Sequence, residues 1–533
     1  MAIVVRDLTY VHPGGGPLFD NVSFKVGDGQ HAGLVGANGV GKSTLLRCIA
    51  GTAAPTSGTT QADGALALMP QQIGEAGDAR TVRDLMISAA PPAVAQSGEK
   101  LVAAERAFAE RPDDERVAIE LGAAISRWGE LGGYGHEAEW EECTQAVLRQ
   151  DWATASERPL TQLSGGEQKR LVLEALLRST SDALLLDEPD NFLDVRGKRW
   201  LEERVRGSSK TILMISHDRE VLASAVGAIV TLETGGAWVH GGSFATYEEA
   251  RAARQARLAS DTRAWQEEER RLHKHFRWMK QRAATNSDMA AAARAAETRW
   301  RRFVDDGPPP PPARTQRIRM RLAAGSSGRR AALGERLELS GLTDPFSFEI
   351  GFGERVAVVG PNGAGKSHFL RLLAGVPVEH SGLLRLGEKT VSGLFEQMHA
   401  HPEWVGRTLV DVLAATRLSN EQAMGGLARY ELQDAAWQSF DTLSGGQQAR
   451  FQILMLEQVG ANLLLLDEPT DNLDVASAEA LERALADFRG TVVAVTHDRW
   501  FMREFDRFLL FDWNGAVSES LSLDEVLPEL ARA

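Results

Sequence analysis

The octapeptide Gly36-Ala37-Asn38-Gly39-Val40-Gly41-Lys42-Ser43 follows an apolar run ending at Val35 and precedes the apolar helical pattern opened by Leu45-Leu46. It returns 324 residues later as Gly360-Pro361-Asn362-Gly363-Ala364-Gly365-Lys366-Ser367, between Val359 and Phe369-Leu370. A glycine-rich loop between a buried strand and a helix is a phosphate cradle, because its backbone N–H groups converge at a helix N-terminus. Gly36, Gly39 and Gly41 leave the backbone free to wrap an anion, as do Gly360, Gly363 and Gly365. Lys42 and Lys366 are placed to reach the β- and γ-phosphates of a nucleotide, and Ser43 and Ser367 to ligate Mg²⁺.

Three further pieces repeat at a different spacing. Ser164 and Ser444, Glu188 and Glu468, and His217 and His497 are each 280 residues apart. Three pairs at one offset mark an internal duplication. The 44-residue difference between the two offsets places extra material in the first copy, before its Leu163-Ser164-Gly165-Gly166. Ala183–Asp187 and Asn462–Asp467 are apolar runs ending in a carboxylate, as expected of buried parallel strands delivering an acid to one sheet edge. Asp187 and Asp467 are the expected Mg²⁺ partners. Glu188 and Glu468 are placed to orient or deprotonate attacking water, general-base help typically worth roughly 10²–10⁴-fold. Ile212–Ser216 and Val492–Thr496 read as strands ending at His217 and His497, which fit γ-phosphate sensors. Gln71 and Gln397 follow short apolar runs and fit reporters on Mg²⁺ and the water.

The inserted material spans about 95–145 and reads as three helices, Gly98–Glu110, Asp114–Leu131 and Glu137–Arg149, forming a helical arm. Between the repeats, Leu258, Trp265, Leu272 and Met279 fall seven apart. Met289, Ala293, Ala296, Trp300 and Phe303 then alternate spacings of four and three after the polar Thr285-Asn286-Ser287. Two heptad-like helices joined by a polar turn predict an antiparallel coiled-coil hairpin over Tyr247–Phe303. Arg277, Lys280, Arg282 and Arg294 gather toward its tip. Pro308–Pro312 imposes a stiff extended spacer, and Arg314, Arg317, Arg319 and Arg321 follow it.

Composition sets the bounds. A chain of 533 residues exceeds what one core ordinarily serves. No apolar run is long enough for a transmembrane helix, and the N-terminus reads as a first strand rather than a signal peptide. Cys48 and Cys143 fit a reducing compartment and cannot build a four-cysteine zinc site. The net charge is −14, but residues 251–330 carry +12 and the remainder −26. A charged linker is ordinarily a solvated face. Here the bias has one sign and Trp265, Phe276, Trp278 and Trp300 interleave with it, which favours contact with a polyanion.

Together these segments resemble the ATP-binding cassette superfamily: the P-loop, the Gln71 and Gln397 loops, the Leu-Ser-Gly-Gly signature, the acidic strand end with its glutamate, Leu193-Asp194 and Leu473-Asp474, and the switch histidine. The resemblance implies an α/β fold of two P-loop cassettes joined by an α-helical coiled-coil linker. The first cassette covers 1–245, the linker 246–330 and the second cassette 331–533. It implies head-to-tail pairing, with Ser164, Gly165 and Gly166 completing the site on Lys366 while Ser444, Gly445 and Gly446 complete the site on Lys42. Thr44 and His368, next after the P-loop serines, join the nucleotide-binding set, and Tyr10 offers an adenine platform to the first site.

The architecture is similar to the ABC-F group of twin-cassette proteins that lack a membrane domain. That resemblance implies a cytoplasmic, monomeric ATPase using ATP and Mg²⁺, with the ribosome (rRNA and tRNA) as partner through 251–330. It also implies modulation of translation or protection from antibiotics. The alternatives are the ATPase subunit of a drug exporter, which needs a membrane partner, and a DNA-repair ATPase, whose relatives carry zinc-binding cysteines. Departures from the family pattern are Asp190-Asn191-Phe192 after the first Glu-Pro, Asp471-Asn472 in the second repeat, and His368 in place of a hydroxyl residue.

Overall fold

The computed structural model describes residues 1–12, 15–71, 80–284, 289–310, 318–322, 328–396, 401–416 and 418–532. They divide into one unit of Met1–Ser243 with Gln316–Ala533 and a second unit of Phe244–Thr315.

The first unit holds the duplication as two equivalent pairs of sheets. In the first cassette, the sheet order is Leu66–Met69, Ala183–Asp187, Thr211–Ile215, His31–Val35, Ala228–Glu233 and Gly236–His240. All neighbours pair in parallel except the last two. In the second, the order Ser392–Phe395, Leu463–Asp467, Thr491–Val495, Arg355–Val359, Arg507–Phe511, Val517–Ser520 repeats the topology. The middle strands are buried along their whole length and apolar except at their ends, Thr211 and Thr491 at two starts and Asp187 and Asp467 at two C-terminal ends, because both faces are covered. Parallel pairing brings the C-terminal ends of the P-loop, acidic and histidine strands to one edge of each sheet, where a doubly wound sheet opens its crevice. A three-stranded antiparallel sheet accompanies each core, Pro17–Val26, Ile3–Val11 and Ser57–Ala62 in the first cassette and Phe346–Gly351, Arg330–Leu339 and His380–Leu386 in the second.

Strand limits differ from the sequence reading by one residue. Asn462 precedes its strand because its side chain serves the turn: Oδ1 accepts from Val391 N at 2.8 Å and Nδ2 donates to Lys389 O at 2.8 Å. The arm consists of helices Pro92–Glu110, Glu115–Glu130 and Gly133–Leu148. The first starts six residues before the expected Gly98, since proline is accommodated in a first turn whose N–H groups have no intrahelical partner. Trp128 and Trp140 are buried with ring centroids 6.2 Å apart, and Trp152 adds a third ring 5.3 Å from Trp140. This aromatic knot ties the arm to itself, and Arg178 pairs with Glu142 to tie it to the helix Gly165–Arg178.

The second unit is a helical hairpin of Phe244–Ala283 and Ala290–Asp305. Leu272, Ala293 and Ala296 are buried in its seam. Trp265 stacks on Phe303 at 5.5 Å and Phe276 on Trp300 at 5.7 Å, while Trp300 Nε1 donates to Glu269 at 3.0 Å. Such offset aromatic pairs are worth about 0.5–1.5 kcal/mol beyond the area they bury. Arg277, Lys280, Arg282 and Arg294 are all exposed. The Arg282 guanidinium lies over the Trp278 ring at 4.2 Å. The polar turn 285–287 and Arg314 and Arg317 lie outside the described residues. Ile318, beyond the proline spacer, is buried in the core of the second cassette. Arg319 N donates to Arg429 O at 3.0 Å, and Arg321 N to Glu457 Oε2 at 3.2 Å.

Candidate active site

Gly41 and Gly365 cap the P-loop helices Lys42–Ile49 and Lys366–Leu373 with φ of 102° and 94°. That left-handed turn is accessible to glycine at no steric cost and aims successive N–H groups at one point. Lys42 Nζ folds back on the loop, donating to Gly36 O at 2.9 Å and Ala37 O at 3.3 Å. Lys366 does the same with Gly360 O at 2.8 Å and Pro361 O at 2.6 Å. Burial pulls both lysines below the ordinary range, opposed by carboxylates at the site: Asp474, Glu188 and Asp187 around Lys42, and Glu468, Asp194 and Asp467 around Lys366.

A cavity of about 330 Å³ opens on Lys42. From the first cassette it is lined by Leu18, Asn38, Gly39, Gly41, Lys42, Ser43, Thr44, Gln71, Glu188 and His217. From the second it is lined by Ser444, Gly445, Gly446, Asp471 and Asn472. The signature thus lies opposite the other cassette's phosphate loop. Ser444 and Ser164 each cap their own helix, accepting from Gln447 N at 3.4 Å and Glu167 N at 3.2 Å. The glycines permit the approach: a Cβ on Gly446 would sit 2.1 Å from Asn38 Nδ2. Asn38 N donates to Asp474 Oδ2 at 2.9 Å and Asn38 Nδ2 to Asn472 O at 3.1 Å. Across the other seam, Asn362 Nδ2 donates to Phe192 O at 3.0 Å.

The two glutamates occupy left-handed backbone, with φ of 51° at Glu188 and 48° at Glu468. Non-glycine residues seldom sit there, and sites that do are held by their surroundings. Their side chains are held differently. Glu188 Oε2 accepts from Gln71 Nε2 and Asn191 Nδ2, both at 2.7 Å. Glu468 Oε2 accepts from His497 N at 3.0 Å. His497 Nε2 stands 3.0 Å from Asn362 Oδ1 and 3.5 Å from Glu468 Oε1. His217 Nε2 is 3.8 Å from Glu188 Oε1. Burial, joined by the Lys42 charge, lowers His217 to about 4. Burial with Lys366 and Lys198 carries His497 well below the ordinary histidine range. Both imidazoles are therefore neutral at neutral pH.

Asp187 is pushed up to about 6 by burial, with Glu188 adding to the shift while the Ser43 hydroxyl and Lys42 oppose it. Asp467 is raised by burial, and Ser367 Oγ donates to its Oδ1 at 3.1 Å. The buried Asp187 Oδ1 has no hydrogen-bond partner in the protein. A carboxylate oxygen beside a serine hydroxyl is the hard donor set that suits Mg²⁺ with a nucleotide's own oxygens completing the shell. Among the described residues, no three His, Cys, Asp or Glu side chains gather to hold a metal by themselves.

Tyr10 packs on Phe19 with centroids 6.0 Å apart and does not line the cavity, whose wall there is Leu18. Thr44 lines the cavity, and its hydroxyl accepts from Arg47 at 3.3 Å. His368 is exposed on the first turn of its helix. Gln397 lies outside the described residues. Sequence reasoning did not place Asp471, Asn472 or Asp474 in the site. Their position just after the second Glu-Pro was the available signal, but their role becomes visible only across the seam.

Two P-loop domains, each facing the Ser-Gly-Gly of the other, define the ATP-binding cassette class. The ABC transporter family model matches residues 19–191 and 343–471, and the chain belongs to that family. It is 50% identical to a Mycobacteroides abscessus protein named "Antibiotic resistance protein", over 96% of this chain and 97% of that one. It is 31% identical to the "Energy-dependent translational throttle protein EttA" of Escherichia coli K12, over 91% of this chain and 87% of the relative. Among solved structures, RNase-L Inhibitor shares the fold with a TM-score of 0.56 at 20% identity, covering 95% of this chain and 87% of that one. Within its family the chain is of the ABC-F type, a nucleotide-binding ATPase. No helix among the described residues is long and apolar enough to cross a membrane.

Proposed function

We propose that this protein is a cytoplasmic ABC-F ATPase that engages the ribosome and its tRNA, and whose cassettes close on ATP and open after hydrolysis. The observation that carries the reading is the cavity on Lys42 walled by Ser444, Gly445 and Gly446, which makes nucleotide binding and cassette closure one event. In this reading the cassettes are 1–245 and 331–533, and the hairpin between them is the part that closure moves. Its predominantly basic tip, with Arg282 stacked on Trp278, suits phosphate and base together.

In each site the P-loop N–H groups and Lys42 or Lys366 bind the phosphates. Ser43 with Asp187, and Ser367 with Asp467, would hold Mg²⁺, and Gln71 and Gln397 are the proposed reporters on it; the ion would supply neutralisation of charge on the phosphate oxygens. Glu188 and Glu468 receive the proton of the attacking water. His217 and His497, neutral at working pH, each donate one N–H toward the γ-phosphate. Ser164 and Ser444 close the opposite sites.

Protection from a translation-targeting antibiotic and throttling of translation remain two uses of one engine. The relative named for antibiotic resistance favours the first, and drug susceptibility of cells with and without the gene separates them. A drug-exporter subunit gives the basic hairpin nothing to do.

The test is the Glu188→Gln, Glu468→Gln double variant. ATP turnover falls at least ~100-fold, and the protein cosediments with ribosomes in ATP, salt-sensitively and without release. Sedimentation free of ribosomes in ATP at low salt would overturn the reading. Replacing Arg277, Lys280, Arg282 and Arg294 by Gln weakens that cosedimentation about tenfold or more at moderate salt, while ribosome-free ATPase changes less than about twofold. A collapse of ribosome-free turnover would instead make the hairpin a structural brace.

A further inference from the structure

The seam between the cassettes follows the 280-residue repeat closely. Arg219 pairs with Glu482 and Arg499 with Glu202, so each switch loop sends an arginine to the same glutamate position of the other cassette. Asp218 and Asp498 likewise cap equivalent segments, Asp218 Oδ1 accepting from Val221 N at 2.9 Å and Asp498 Oδ1 from Phe501 N at 3.1 Å.

At one pair of buried positions this symmetry is broken. Lys198, on the helix Val195–Arg206, is only 5% exposed, and its counterpart 280 residues on is the buried Ala478. Lys198 Nζ lies 3.0 Å from Asp218 Oδ2 in its own cassette. It also donates to the carbonyl oxygen of His497, in the other cassette, at 3.4 Å. The N–H of that same His497 is bound by Glu468 Oε2 at 3.0 Å, and its Nε2 faces Asn362. The His497 main chain is therefore held from both sides, by the glutamate of its own site and by a lysine that arrives only when the cassettes meet. Ala478 has no donor with which to grip the His217 carbonyl in return.

We propose that Lys198 is a one-sided positioning residue: it docks the helix after Leu193-Asp194 on His497, and so makes turnover at the Lys366 site depend on cassette closure more strictly than turnover at the Lys42 site. Asp194 caps this helix, its carboxylate accepting from Gly197 N at 2.8 Å, so the helix that carries the lysine is fixed at its start. Burial works against a charged Lys198, but Asp218, Asp471, Asp498 and Asp190 outweigh it and keep the ammonium charged. A buried cation so surrounded is held firmly in register.

The inference rests on the reading that Glu188 and Glu468 serve separate sites, and that is checked first: the double glutamine variant must lack turnover, and residual turnover would remove both claims. Lys198→Met is then placed in each single-glutamine background. With Glu188→Gln, which leaves only the Lys366 site, kcat falls about tenfold and KM for ATP stays within about twofold. With Glu468→Gln, which leaves only the Lys42 site, kcat changes less than about twofold. Lys198→Arg restores at least about half of the lost rate, since it keeps the donor. Because Lys198→Met removes the cation facing Asp218 Oδ2, Lys198→Met with Asp218→Asn is measured beside it, with thermal melting to confirm folding. The same contrast between backgrounds is expected there. Equal fractional losses in the two backgrounds, or no loss with Glu188→Gln, would overturn the proposal.

Discussion

The site on Lys42 and the site on Lys366 belong to one repeat, yet one glutamate is held by side-chain amides and the other by a backbone N–H. Glu188 is half-buried and accepts from two neutral amides, Gln71 and Asn191, that turn its carboxylate toward the cavity. Glu468 is 5% exposed and turned onto the main chain of His497. The residue aligned with Asn191 at the 280 offset is Asp471, a change from donor to anion. Asparagine gives the neighbouring glutamate a hydrogen bond; aspartate gives it repulsion. Burial and Asp471, helped by Asp467, push Glu468 up to about 8, against Lys366 and Lys198. The asparagine-to-aspartate change in the loop after Glu-Pro, identical in length in both repeats, thus adds to burial in setting the two sites apart.

The broadest way to break the comparison is to silence the glutamates one at a time. Glu188→Gln and Glu468→Gln each remove turnover at their own site by ~10²–10⁴-fold. Single-turnover measurements on the two variants then report the surviving sites separately. Indistinguishable rates at pH 7 would mean that the different holding of the glutamates has no catalytic weight.

A smaller effect comes from pH. A general base works when deprotonated, so a carboxyl raised to about 8 gains activity as pH rises through that value. With Glu188→Gln, turnover at the Lys366 site should climb about tenfold between pH 7 and 9. A flat profile across that range would show that nucleotide binding resets Glu468.

The finest adjustment is Asp471→Asn in the Glu188→Gln background. It installs in the second site the amide that the first site has, and should move the pH midpoint down by roughly one unit. An unmoved midpoint would assign the shift to burial alone.

Much of this protein was legible before any coordinates. The P-loops, signatures, acidic strand ends and switch histidines are local patterns whose chemistry depends on residue type and short spacing. Coiled-coil periodicity over Trp265, Leu272, Ala293 and Trp300 likewise announced the hairpin, because heptad spacing alone puts those side chains in one seam. Less was readable where contacts join residues hundreds of positions apart. Tyr10, offered as an adenine platform, packs on Phe19, and Leu18 is the residue of that region that lines the cavity.

Sequence by itself determined that there are two P-loop cassettes, which residues are the candidates for the chemistry in each, and where the basic linker lies. Tertiary structure alone decided that Gly446 meets Asn38, that Asn191 and Asp471 treat their glutamates differently, and that Lys198 reaches His497 while Ala478 reaches nothing comparable. The physical reason is range. Motif chemistry is written in bonds a few residues long, whereas the balance between the sites is set by charges and close approaches across a seam that exists only once both halves have folded and met.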